Sequence, residues 1–131
     1  MSDPKYLVWS AILTLLMLLV ASACRAQAWT PAGMQAAFGN RDNLPPATSL
    51  AGRADRAAHN MLEAMILFIA VLAAAHFAGK AASWQVQTGA ALFFWARLVY
   101  WPCYLAGIVY LRTAVWFVSA IGLAMIAAAV W

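Results

Sequence analysis

The chain has 131 residues, of which 66% are hydrophobic and only 9% charged, against roughly 25% charged in ordinary soluble domains. A single domain of this size has too much surface for its volume to hide so many apolar side chains from water. A soluble globular domain is therefore excluded, and the expectation is one membrane-embedded domain over residues 1–131. The formal charge of +4 comes without any basic run, so it signals no nucleic-acid partner and serves instead to orient the chain.

Four segments are long enough to cross a bilayer core, which takes about 20 apolar residues. The first is "YLVWSAILTLLMLLVASAC", residues 6–24, which carries no charge. "ASA" before Cys24 resembles a signal-peptide cleavage site or a weak lipobox. The apolar run is longer than a signal-peptide core, however, and Ala21 stands where a lipobox carries Leu, so a span is expected. Residues 25–55 follow as a polar cytoplasmic loop whose "GNRDNLPP", 39–46, is turn and breaker chemistry. The second span is expected over about 57–78, the third over about 84–106 with Arg97 inside it, and the fourth over 113–131. Short turns join the last three, "GKAAS" at 79–83 and residues 107–112 around Gly107. The pattern predicts an all-α, up-down four-helix bundle.

Arg25, Arg41, Arg53, Arg56 and Arg112 fall on the loop side, against Lys5 and Lys80 on the other. Positive charge favours the cytoplasm, which places both loops inside and both termini outside a cell (inner or plasma) membrane. Trp9, Trp29, Trp84, Trp101 and Trp131 lie near segment ends, as an interfacial aromatic belt would place them. Phe93, Phe94 and Trp95 are expected to face lipid or neighbouring helices. Cys24 and Cys103 form neither a metal set nor a disulfide framework, and His59 and His76 are isolated, so no metal is expected.

The chemistry concentrates in two stripes. Arg53, Arg56, Asn60 and Glu63 recur at helical spacing on one face of the second segment. Arg97, Tyr100 and Tyr104 do the same on the third, while Arg112 and Thr113 open the fourth on the same side. A carboxylate or guanidinium in hydrocarbon is costly and normally faces the bundle interior, so the two stripes should meet. Arginines bind carboxylates bidentately and Glu63 suits an ammonium, which fits a small zwitterion with several carboxylates. Arg56 and Glu63 lie about 10 Å apart at 1.5 Å per residue, close to an extended tripeptide at roughly 3.3–3.6 Å per residue. The alternative use of the same charges is an Arg–Glu pair that only ties helices together.

These stretches resemble a known family. "RAAHNMLE", 56–63, resembles the R-A-x-x-N-x-x-E signature of the MAPEG superfamily, the membrane-associated proteins of eicosanoid and glutathione metabolism. "ARLVYWPCY", 96–104, is similar to that family's third-helix stretch, "RTAVW", 112–116, looks like its R-S-x-x-Y, and "GNRDNLPP" is similar to its bacterial branch. The resemblance covers nearly the whole chain and implies a homotrimer that holds glutathione between subunits. It would assign Arg56, Asn60, Glu63, Tyr100, Tyr104 and Arg112 to glutathione, with Arg53 and Arg97 close by. Arg41 or Arg25 would reach in from the adjacent subunit, and Arg112 would stabilise the thiolate. The chain departs from the pattern at Ala64 and Ile66, where eicosanoid enzymes of the family often carry an aromatic and a Pro. It departs again at Trp116, in place of the Tyr, and Arg112 falls one residue away from its place in some members.

The function expected is a glutathione transferase or peroxidase acting on lipophilic electrophiles that enter from membrane lipid, with glutathione as cosubstrate. Two alternatives are a non-catalytic lipid- or glutathione-binding protein of the same fold and a small multidrug exporter using Glu63. The arginines around Glu63 argue against the exporter, because they would hold it ionised and repel a cation.

Overall fold

The computed structural model describes residues 3–42, 44 and 46–131, and every regular element among them is a helix. These are α1 (Asp3–Ala26), α2 (Pro31–Phe38), α3 (Ser49–Phe77), α4 (Trp84–Leu105) and α5 (Val109–Val130). Pro45, half of the proline pair read as a breaker, lies outside the described residues, as does Asn43.

Local chemistry sets the ends. At the close of α1, Gln27 takes a left-handed φ of 54° and the Ala28 N–H returns to the Ala23 carbonyl at 3.0 Å. Thr30 then starts α2: its hydroxyl accepts from the Gly33 N–H at 2.9 Å, with Pro31 in the first turn where a missing N–H costs nothing. The expected loop over 25–55 thus contains a helix, although eight residues give about 12 Å, too short to cross a bilayer. Thr48 caps α3 by accepting from the Ala51 N–H at 3.1 Å. The helix therefore begins at Ser49 instead of about 57, because Arg53, Asp55 and Arg56 are tolerated in a helix whose N-terminus is capped.

Helices α3 and α4 end in the same way. Gly79 (φ 71°) and Gly107 (φ 75°) take the left-handed conformation that glycine adopts without steric cost. Lys80 N–H bonds to Ala75 and Ile108 N–H to Cys103, while Gly79 and Gly107 bond to His76 and Tyr104. This paired pattern is the Schellman motif, and it turns each helix sharply into the next. As a result α5 starts at Val109, which puts Arg112 in its first turn and Thr113 directly after it.

The short turns make α3, α4 and α5 antiparallel neighbours. Phe68 and Phe93 stack at 4.1 Å between α3 and α4. Helices α4 and α5 meet at Gly89 and Gly122, where a Cβ on Gly89 would stand 2.5 Å from the Gly122 carbonyl oxygen. Small residues of this kind let membrane helices approach backbone to backbone. Helix α1 packs on α3 and α4 but makes no contact with α5 among the described residues. Its Tyr6 and Trp9 rings meet Phe94 at 5.9 and 5.4 Å.

Helices α1, α3 and α5 are long and apolar enough to cross a membrane, and the chain is an integral membrane protein. Helix α4 has 22 residues, as many as α5, but its glutamines, its tryptophans and tyrosines, Arg97 and Pro102 lower its mean hydropathy. Pro102 also leaves the Leu98 carbonyl without its helical donor.

Candidate functional site

The antiparallel pairing of α3 and α4 brings their polar stripes level with one another. Arg97 Nη1 donates to Asn60 Oδ1 at 2.6 Å, and Arg56 Nε donates to the Tyr104 hydroxyl at 3.3 Å. One turn further out, Arg53 Nε donates to the Leu105 carbonyl at 3.0 Å. That carbonyl belongs to the last turn of α4, which lacks helical donors and carries the negative end of the helix dipole, so a cation suits it.

Arg97 lies deepest, only 3% exposed. Its guanidinium carbon sits 4.9 Å from the centre of the Tyr100 ring and 5.8 Å from that of Phe93, and its Nε is buried without a partner. Ring faces and one amide compensate a buried cation only in part. The carboxylate that could complete the pairing is Glu63, which has no hydrogen-bond or ion-pair partner among the described residues. The Arg–Glu tie considered from the sequence is therefore not formed within this chain.

Two adjoining cavities open along these stripes. The first, about 200 Å³, is walled by Asn60, Glu63, Ala64 and Leu67 of α3, Arg97 of α4, and Trp116, Ser119, Ala120 and Leu123 of α5. The second, about 240 Å³, lies between Tyr100 and Tyr104 of α4 and Arg112, Thr113 and Trp116 of α5. Trp116 borders both. In the second cavity the Arg112 guanidinium carbon stands 4.5 Å from the centre of the Tyr104 ring, and the Tyr100 and Tyr104 rings meet edge to face at 5.5 Å. A guanidinium stacked on a ring keeps its in-plane N–H donors available.

A family model described as "MAPEG family" matches residues 5–131. The chain belongs to the MAPEG family. This family is associated with glutathione. Comparison with the curated proteins and with the solved structures returns no match.

Of the residues singled out from the sequence, Asn60, Glu63, Arg97, Tyr100, Tyr104, Arg112, Thr113 and Trp116 border the cavities, and Arg56 joins the rim through Tyr104. Arg53 is turned to the end of α4. Arg41 donates to Ser22 Oγ at 2.6 Å, and Arg25 lies in the last turn of α1; neither borders a cavity. Sequence reasoning missed Ser119, 1% exposed, whose hydroxyl donates to the Trp116 carbonyl at 2.6 Å. Its spacing of seven from Arg112 and three from Trp116 is the signal that would have found it.

Proposed function

We propose that this MAPEG protein is a glutathione-dependent transferase or peroxidase acting on lipophilic electrophiles, working as a homotrimer of four-span protomers with both termini outside the cytoplasm. The observation that carries the proposal is the convergence of an amide, a carboxylate unpaired among the described residues, two phenols and two arginines on two adjoining cavities, in a family associated with glutathione. Asn60, Glu63 and Arg97 would hold one end of the peptide, with Arg56, Tyr100 and Tyr104 along its length. Arg53 stands close by, and Arg25 or Arg41 would reach in from the adjacent subunit.

Arg112 would then act on the thiol. A nearby cation lowers a thiol pKa and favours the thiolate, which is the nucleophile. The thiol proton leaves to water, the sulfur lone pair forms the new bond to the electrophilic carbon, and the displaced electron pair goes to the electrophile's leaving or accepting atom. Thr113 and Trp116 form the wall opposite the two phenols. The test is a glutathione titration of the detergent-solubilised protein, wild type beside Glu63→Gln, with oligomer mass measured on the same sample. Saturable binding that weakens in the variant supports the assignment, and equal affinity removes Glu63 from it.

A second use of the same cleft, glutathione binding without catalysis, is favoured by Trp116, which carries no hydroxyl, and by Ala64, which lines the first cavity. Ultraviolet absorbance of the thiolate on adding glutathione separates the two, because a binder that does not activate the thiol produces none.

A further inference from the structure

Helix α2 has no part in the cleft, yet it is built in an unusual way. Gly33 faces inward, so close to the backbone of Ala26 and Gln27 that no Cβ would fit there. The opposite face carries Pro31, Met34 and Phe38 at helical spacing, with Trp29 just before them. Met34 is 48% exposed, Trp29 69% and Phe38 86%, and the helix itself has no charged residue. Such a stripe is unfavourable in water.

Both ends of α2 are fastened to α1. The close approach of Gly33 to the Ala26 carbonyl holds its start, and beyond its end Arg41 reaches Ser22. Ser22 lies four residues inside the end of α1, about 6 Å along the axis at 1.5 Å per residue. The chain after α2 thus folds back along a membrane-crossing helix and not away from it. We propose that α2 is an interfacial foot whose outward stripe lies in the headgroup-to-acyl boundary of a phospholipid bilayer. Apolar faces of interfacial helices sit about 5–10 Å into that boundary, and the Arg41–Ser22 bond keeps the chain beyond α2 beside α1. Trp29 is the residue type that favours this zone.

The experiment is spin labelling in nanodiscs of phosphatidylcholine and phosphatidylglycerol. Single cysteines replace Trp29 or Phe38 in a Cys24→Ala, Cys103→Ala background, with Leu15→Cys as the lipid reference and Ala82→Cys as the water reference. Labels at 29 and 38 should show oxygen over nickel-chelate accessibility between the Leu15 and Ala82 values, because Leu15 lies at the middle of α1. A value equal to that of Leu15 would place the stripe at mid-bilayer and overturn the proposal. Values near the Ala82 reference would place α2 in water and overturn the proposal. Low accessibility to both reagents would mean that a second copy of the chain covers the stripe, which overturns it too. A second measurement needs no cysteine replacement: brominated lipids should quench Trp29 emission, read as the difference between wild type and Trp29→Phe. No difference in quenching between the two proteins would also overturn the proposal.

Discussion

The two halves of the α3–α4–α5 unit are built on opposite terms. Around Phe68, Phe93, Gly89 and Gly122, helices touch through stacked rings and bare backbone. Toward the other end Arg97, Asn60, Glu63, Tyr104 and Arg112 stand around two cavities, where among the described residues the buried Arg97 Nε and the exposed Glu63 carboxylate have no partner. Close packing in the first half fixes the helix positions, which lets the second keep polar groups without partners. Stability and chemistry occupy different lengths of the same helices.

The division can be tested from its strongest contrast downward. Gly122→Leu would force a side chain onto the Gly89 carbonyl, and overpacking of a tight contact costs typically up to about 3 kcal/mol and occasionally more. Thermal unfolding in detergent should show a large loss of Tm, and an unchanged Tm would mean that α4 and α5 do not meet as described. In the polar half, Arg112→Ala should lower conjugation of a model electrophile by about a hundredfold, the range for loss of one electrostatic stabiliser. Glutathione affinity should persist; unchanged turnover would sink the assignment of Arg112 to the thiolate. Asn60→Ala takes from the buried Arg97 its one amide partner among the described residues and should destabilise by about 2 kcal/mol, as for hydrogen bonds to charged groups. Arg53→Ala should cost under about 1 kcal/mol, the worth of a cation at a helix C-terminus. It should also leave glutathione affinity unaltered if Arg53 serves only α4, whereas a marked loss of affinity would draw Arg53 into the cleft.

Most of the helical architecture was legible because a bilayer demands long apolar runs; the short helix α2 and the helix ends escaped. Thr48 and Thr30 are cap residues, but the arginines after the first and the turn residues around the second disguised the helices they start. The polar stripes were legible through spacing alone, since residues three, four and seven apart share a face wherever the helix lies. Tertiary partners were not. Nothing in the sequence says that Arg53 turns to the Leu105 carbonyl or that Arg41 binds Ser22, because those bonds depend on where another helix ends. Ser119 escaped for a different reason: a lone hydroxyl in an apolar run looks like filler until the cavity beside it is seen.

The two glycine-ended turns have a consequence for how the cleft comes into being. Every residue that borders either cavity lies at or after Asn60, on three helices joined by connections of a few residues each. Closing short loops costs little chain entropy, so the cleft can assemble as a local event, independent of when α1 arrives. A polypeptide cut between α2 and α3 would keep all the walls on one fragment, with α1 and α2 supplied separately as a buttress.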